Sequence, residues 1–180
     1  MTVYRLKTFN MDKIPKNTTF VLDTNILYYI HSGYYMEDVK HAKYANLVQS
    51  LIINKYKVAV SVISIQELLF GIENKEYQLY CIEHNLKREV YTKKAFRKNK
   101  KQRNILQQKL MVILSELSIY DIDNGIITNN MLRDYINMYN SHKMDPIDFL
   151  LVNNYDVGNV IFVSDDKDFT SLPSLHILKL

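Results

Sequence analysis

The stretch that decides the fold is Phe20-Val21-Leu22-Asp23-Thr24-Asn25-Ile26-Leu27. Its first three residues are apolar and predict a short strand that is buried on both faces, as in a parallel sheet. The strand ends at the Asp23 carboxylate. Thr24 and Asn25 can then cap or turn the backbone, and the apolar run at Ile26 predicts a helix. This order places Asp23 at the carboxyl edge of the sheet, where open α/β folds hold their ligands.

A matching stretch lies near the end of the chain, where the apolar run 160–163 is followed by Ser164-Asp165-Asp166-Lys167-Asp168-Phe169. If the two strands are neighbours, their acids converge at one edge of the sheet. A site built from those acids binds cations rather than anions.

Short strands alternate with amphipathic helices along the chain, which predicts an α/β fold with a central, mainly parallel sheet flanked by helices. We expect strands at 20–22, 57–60, 117–122 and 160–163, with an edge strand at 176–180. Helices are expected at 38–56, 61–73, 105–117 and about 125–139, and Asp145-Pro146 opens another. Residues 1–18 are interpreted as an N-terminal arm, either loose or a peripheral strand, before a domain at 19–180.

The composition is that of one compact globular domain: 180 residues, 47% hydrophobic and 23% charged. The single Cys81 excludes an internal disulfide and fits a reducing compartment. The N-terminus has no apolar run, and no window approaches the roughly 18 apolar residues of a membrane span. We therefore expect a cytoplasmic protein with no membrane segment.

Four acids fall at the exit of a predicted strand or in the first turn of a predicted helix: Asp23, Glu67, Asp148 and Asp166. Because these positions share one edge of an open sheet, the four carboxylates are expected to face a single cleft. Apposed acids raise each other's pKa unless a cation neutralises them. Mg²⁺ and Mn²⁺ prefer oxygen ligands, and either ion suits such a site.

Each acid also has a structural interpretation. Asp23 can end a strand in an Asx turn. Glu67 follows Ser64 by three residues, as in a capping box. Asp148 stands three residues after the Asp145 cap, where a carboxylate favours the helix dipole. The acids at 165–168 can form a solvated turn.

The sequence resembles the PIN-domain ribonucleases, which include the VapC toxins of bacterial toxin–antitoxin pairs. The resemblance extends from Phe20 to Phe169. The segments that carry it are Val21-Leu22-Asp23-Thr24-Asn25, Ser61-Val62-Ile63-Ser64-Ile65-Gln66-Glu67-Leu68-Leu69-Phe70-Gly71, Asp148, and Val163-Ser164-Asp165-Asp166-Lys167-Asp168-Phe169. The chain departs from the family at residues 74–104, which form an extension, and at the bulky run Phe149-Leu150-Leu151, where the family has small residues.

The resemblance implies a three-layer PIN-like domain that hydrolyses RNA as an Mg²⁺- or Mn²⁺-dependent endoribonuclease. The implied catalytic and metal-binding residues are Asp23, Glu67, Asp148 and Asp166, with Asp168 as a further ligand and Asp165 as the weakest candidate. Residues proposed to orient these carboxylates are Thr24, Asn25 and Ser164, with Asp145 as a substitute ligand. An antitoxin partner and a homodimer are expectations by analogy with the family.

The extension is strongly basic between residues 87 and 103, where nine Lys and Arg residues stand against the single acid Glu89. Such a stretch attracts a polyanion, and the tyrosines near it can stack on unpaired bases. A solvated helix face, or a surface for an acidic protein partner, is an equally valid interpretation. The candidate RNA-binding residues are Lys93, Lys94, Arg97 and Lys98.

Two other functions can be compared with that of a nuclease. An aspartyl phosphatase of the haloacid-dehalogenase kind requires a second Asp two residues after Asp23, and that position is Asn25. A non-catalytic PIN-like domain that binds RNA or a protein, with its acids serving as caps, survives this comparison. Metal titration separates it from a nuclease, because caps do not bind Mn²⁺.

Overall fold

The computed structural model describes residues 2–125, 127–138, 145–155, 157–171 and 175–179. Its centre is a sheet of six parallel strands in the order β1-β6-β5-β2-β3-β4. The strands are β1 (Thr2–Arg5), β2 (Thr19–Leu22), β3 (Lys57–Ser61), β4 (Asp121–Asp123), β5 (Val160–Val163) and β6 (His176–Lys179). The predicted parallel α/β fold is confirmed.

Helices connect β2 to β3, β3 to β4 and β4 to β5, whereas 3-10 turns are the helical elements between β1 and β2 and between β5 and β6 in the described ranges. The helices are α1 (Thr24–His31), α2 (Val39–Ile53), α3 (Val62–Glu83), α4 (Lys93–Lys98), α5 (Lys100–Leu117), α6 (Asn129–Met138) and α7 (Pro146–Asn153). Short 3-10 turns lie at Leu6–Thr8, Met11–Lys13, Val157–Asn159 and Asp168–Ser171. Across the described ranges, none of the helices has the length and apolar character needed to cross a membrane.

Strand β2 lies between β5 and β3 and is buried on both faces. Its residues alternate: Phe20 and Leu22 enter one hydrophobic core, and Val21 enters the other. The first core contains residues of α1, α2, α3 and α5, and the second contains Leu151 and Val152 of α7. Helices therefore cover both faces of the sheet, which makes the domain three-layered.

The N-terminal arm joins the sheet. Thr2–Arg5 forms β1 and pairs in parallel with β6, so the interpretation as a peripheral strand is confirmed for these residues. The prediction that 176–180 forms the edge is wrong, because β1 covers β6 and is itself the outer strand. Leu180 lies outside the described residues.

Helix α3 ends ten residues later than predicted and runs into the basic extension. It continues because apolar residues do not stop at Ile72: Tyr77 and Cys81 follow, and they are four residues, or about one helical turn, apart. These two residues pack with Phe96 of α4 in a small third core. The extension at 74–104 is thus anchored to the domain by a core of its own.

Two local predictions are wrong. The third strand lies at Asp121–Asp123 rather than at 117–122, because the backbone N–H groups of residues 118–120 donate to the last carbonyls of α5 and form a turn there. Helix α6 begins at Asn129 rather than near Gly125, whose φ of +46° is left-handed.

Candidate active site

Asp23 ends β2 and begins α1, so its carboxylate lies at the carboxyl edge of the sheet. The residue is only 4% exposed. As the N-cap of α1, its Oδ1 accepts a hydrogen bond from the Thr24 backbone N–H at 2.6 Å. Its backbone N–H donates to the carbonyl of Val163 at 3.1 Å, which links the end of β2 to the end of β5.

Ser164 connects the ends of these two strands through its side chain. Its hydroxyl donates to Asp23 Oδ2 at 2.6 Å and accepts from the Asp166 backbone N–H at 3.0 Å. The Asn25 amide also donates to Asp23 Oδ2, at 2.5 Å. With the Thr24 N–H, three donors therefore fix the Asp23 carboxylate, and the Asp166 backbone is bonded to the same Ser164 hydroxyl.

Glu67 reaches the site from α3, the helix that follows β3. Ser61 is the N-cap of this helix and accepts from the Ile63 N–H at 3.2 Å, so the capping box between Ser64 and Glu67 is not formed. The Thr24 hydroxyl instead donates to Glu67 Oε2 at 2.6 Å. The capping interpretation of Glu67 is wrong, and its carboxylate is held toward the end of β2.

Two further pairs of acids complete this edge. Asp145 is the N-cap of α7 and accepts from the Ile147 N–H at 2.8 Å, and Asp148 lies in the first turn of that helix, as predicted. Asp166 follows β5, and its Oδ1 accepts from the Asp168 N–H at 2.9 Å.

All of these acids line one cleft of about 650 Å³. Its carboxylates are Asp23, Glu67, Asp145, Asp148, Asp166 and Asp168, and its other walls include Thr24, Asn25, Tyr28, Tyr29, Tyr35 and Gly71. The structure thus brings together every acid that the sequence nominated except Asp165. Their catalytic and metal-binding roles stay predictions.

The clustering of acids is visible in their pKa values. Burial, with a smaller contribution from Asp166 and Glu67, raises the pKa of Asp23 to about 6 despite its three donors. Burial together with the neighbouring carboxylates of Asp23 and Asp166 raises the pKa of Asp148 to about 8. Both acids are therefore costly to ionise without a compensating positive charge.

The donor set fits a hard divalent cation. Its groups are oxygens, which Mg²⁺ and Mn²⁺ prefer as ligands. The raised pKa values show that ionising these acids is unfavourable, and a bound cation would offset that cost. Among the described residues, no three His, Cys, Asp or Glu side chains stand in a ready arrangement for holding an ion. The acids share a cleft without forming a closed coordination shell.

Asp165 has a different environment from the other acids. Its carboxylate accepts from Lys40 Nζ at 2.7 Å and from the Tyr44 hydroxyl, both on α2. It does not line the cleft. Asp165 thus attaches the loop after β5 to α2.

The candidate RNA-binding residues lie on α4. The Arg97 guanidinium donates twice to Glu73 of α3, both times at 2.6 Å, and this contact holds the pKa of Glu73 below its usual range. Arg97 therefore fastens α4 to α3 and is a weaker candidate for RNA contact. Lys94 and Lys98 are exposed on the same helix, and Lys93 is half-buried.

The sequence reasoning missed the tyrosines of the cleft. Tyr28 and Tyr29 follow Thr24 and Asn25 by four residues each, so the same face of α1 carries them into the site. This spacing is visible in the sequence and could have predicted their position. Tyr35 arrives from the loop after α1, and no sequence pattern places it there.

Comparison with known proteins agrees with this fold. The model of the PIN domain family matches residues 20–175, and the chain therefore belongs to the PIN domain family. PIN domains are generally nucleases that use divalent metal ions.

One similar solved structure is a chain from VapBC2 of Rickettsia felis, determined bound to a DNA fragment from its promoter. It has 20% identity and a TM-score of 0.54, over 90% of this chain and 98% of that chain. At this identity the likeness shows the fold. No curated protein gave a match.

Proposed function

We propose that the chain is an endoribonuclease that hydrolyses RNA phosphodiester bonds with Mg²⁺ or Mn²⁺. The observation that carries the proposal is the convergence of Asp23, Glu67, Asp148 and Asp166 on one cleft at the carboxyl edge of the sheet. Membership of a family of nucleases supports it.

The chain's own residues would prepare the site for the ion. Asp23, Glu67, Asp148 and Asp166 would hold it, and Asp168 and Asp145 are further oxygen ligands. Thr24, Asn25 and Ser164 fix the orientation of the Asp23 and Glu67 carboxylates by hydrogen bonds. A bound divalent ion supplies the positive charge that attracts the phosphate and lowers the pKa of the attacking water.

Incubation with RNA tests the proposal directly. Purified protein is mixed with structured and with unstructured RNA, with Mn²⁺ and with EDTA, and the products are resolved by electrophoresis. We expect internal cleavage that requires Mn²⁺. If Mn²⁺ neither binds in a titration nor supports cleavage, the non-catalytic RNA- or protein-binding domain is the correct interpretation.

We propose that Lys93, Lys94 and Lys98 on α4 attract the RNA backbone. Replacing all three by Ala should reduce the slope of log Kd against log salt by about 2, since each phosphate contact to a single strand contributes about 0.7. Fluorescence anisotropy with a labelled RNA, over a series of salt concentrations, measures the slope.

The matched control replaces three other exposed lysines by Ala: Lys13, Lys55 and Lys57. They lie near the N-terminal end of β3. Lys13 lies near this end of β3, because the hydroxyl of Tyr56, the residue before β3, donates to the backbone carbonyls of Met11 and Ile14 on either side of Lys13. This variant has the same net charge as the α4 variant. Equal slopes for the two variants would show that α4 has no special role in RNA binding.

We further propose that the protein is the toxin of a toxin–antitoxin pair and acts in the cytoplasm, with an antitoxin and a second copy of itself as partners. The fold of VapBC2 and an apolar groove of about 230 Å³ that includes Ile30, Val48, Ile52 and Ile119 support a protein partner. A short reading frame beside the gene, whose product binds this protein and inhibits cleavage, is the expected finding. A monomer in sedimentation experiments would refute the homodimer.

A further inference from the structure

Helix α1 carries the carboxylate-orienting residues and the tyrosines of the cleft on one face. Thr24 and Tyr28 are four residues apart, as are Asn25 and Tyr29, so each tyrosine lies about one helical turn beyond an orienting residue. Asp23 caps the same helix. A substrate whose phosphate lies at Asp23 therefore meets aromatic rings about one turn along α1.

The three rings of the cleft are packed edge to face. The Tyr35 ring centroid lies 5.7 Å from that of Tyr28 and 5.2 Å from that of Tyr29, at interplanar angles of 62° and 73°. Gly71 of α3 makes room for Tyr28, because a Cβ at this position would lie 3.1 Å from Tyr28 Cε2. The rings are half-buried and line the same cleft as the carboxylates.

The loop that carries Tyr35 is held by a polar clamp at Tyr34. The Tyr34 hydroxyl donates to Glu76 Oε1 at 2.6 Å, and Lys109 Nζ donates to the same oxygen at 2.7 Å. The ammonium of Lys109 also lies 3.9 Å from the centroid of the Tyr34 ring. Because Tyr35 is the next residue, its ring is positioned before any ligand arrives, which reduces the entropy lost on binding.

This arrangement combines the proposed phosphate site with a surface for a flat ring. We propose that Tyr28, Tyr29 and Tyr35 form a wall on which the unpaired nucleobase next to the cleaved bond stacks. Every base presents a π-face to an aromatic side chain, whereas the bases of a duplex are enclosed in its stack. The inference rests on the proposed function and names the residues that would bind the base next to the cleaved bond.

Tyr28 and Tyr35 are the residues on which to test the wall. Tyr29 already stacks on Tyr44, with centroids 6.1 Å apart and an interplanar angle of 13°, and its hydroxyl accepts from Lys40. Its replacement would disturb the attachment of α2 as well as the cleft. Substitution to Leu at Tyr28 or Tyr35 removes the ring, and substitution to Phe keeps it.

The experiment measures kcat/KM for a short single-stranded RNA, the same RNA with one abasic nucleotide next to the cleaved bond, and its full duplex. Tyr28→Leu and Tyr35→Leu should each lower kcat/KM for the intact single strand by about ten- to a hundred-fold. Tyr28→Phe and Tyr35→Phe should stay within about three-fold of the wild type. The abasic RNA should be cut slowly by every protein, with no further loss in the Leu variants.

A binding measurement separates the wall from the nuclease. The wild type in Mg²⁺ should quench the fluorescence of a 2-aminopurine base in the single strand, and the Leu variants should not. Tyr80→Leu is the matched control, because Tyr80 is equally half-buried but packs in the third core, outside the residues of the cleft.

The outcomes distinguish the two ideas. If the Leu variants lose the same factor on intact and abasic RNA, or the duplex is cut as fast as the single strand, the wall is refuted and the nuclease stands. If the wild type binds and quenches but does not cleave, the proposed hydrolysis is refuted and the wall stands.

Discussion

Asp23→Asn is expected to lower RNA cleavage by more than about a hundred-fold without unfolding the protein. Loss of a residue that merely orients a metal ligand costs about ten- to a hundred-fold in other metal sites, and Asp23 is proposed to be a ligand itself. Asn has the same shape but no charge, so the ion loses its most buried partner. Cleavage of a labelled single-stranded RNA in Mn²⁺ measures the effect.

The fold should survive because Asn caps a helix as well as Asp does. The side-chain oxygen of the substituted residue can still accept from the Thr24 N–H, and the Ser164 hydroxyl can rotate to accept from the new amide. The substitution also removes a buried carboxyl group whose pKa is raised to about 6 and which is therefore costly to ionise. Circular dichroism and the thermal midpoint in EDTA should therefore match those of the wild type within a few degrees.

Asp165→Asn is the control for this prediction. It changes an aspartate one residue after Ser164 that is held by Lys40 and Tyr44 and lies outside the cleft. Cleavage should persist at close to the wild-type rate, with a small loss of stability. Equal activity losses in Asp23→Asn and Asp165→Asn would show that charge near β5, rather than a specific ligand, governs the rate.

The position of the site could be predicted from the sequence because parallel strands end at one edge. Once the runs at 20–22 and 160–163 are identified as neighbouring strands, Asp23 and Asp166 must converge there. The place of Asp148 in the first turn of a helix could also be predicted, because Asp145-Pro146 is a strong signal for the start of a helix. These inferences depend on local chemistry, which the sequence displays.

Contacts between distant segments could not be predicted in this way. Glu73 and Arg97 are 24 residues apart, and Asp165 and Lys40 are 125 apart, so no spacing rule pairs them. The length of α3 depends on a third core that forms only when Phe96 folds back onto Tyr77 and Cys81. Strand order at the edge likewise depends on where β1 pairs, which the polar sequence of the arm does not reveal.

Mn²⁺ is expected to stabilise the protein against heat, and the stabilisation should grow as the pH rises. The physical reason lies in Asp23 and Asp148, whose pKa values are raised to about 6 and about 8, mainly by burial. An aspartate in an unfolded chain titrates near about 3.9. Between about pH 4 and pH 8 the folded protein therefore holds more protons than the unfolded chain, and the stability of the metal-free protein falls as the pH rises.

A divalent ion acts in the opposite direction, because it binds the ionised carboxylates and displaces their protons. Above pH 8 proton competition fades, because Asp148 is mostly ionised, and Mn²⁺ at about 100 times its Kd should add about 2.7 kcal/mol to the free energy of unfolding. For a domain of this size that is a rise of about 5–10 °C in Tm. At pH 5.5 the same concentration should add much less, since Asp148 remains protonated.

Differential scanning fluorimetry at pH 5.5, 7 and 8.5, with EDTA or with Mn²⁺, measures both trends. Asp148→Asn should flatten the fall of metal-free Tm with pH and shrink the Mn²⁺ effect at pH 8.5, because the group that titrates near pH 8 is gone. Asp12→Asn, an exposed aspartate in the Met11–Lys13 turn, should change neither trend. A Mn²⁺ effect that is equal at all three pH values would mean that the ion binds somewhere other than these buried acids.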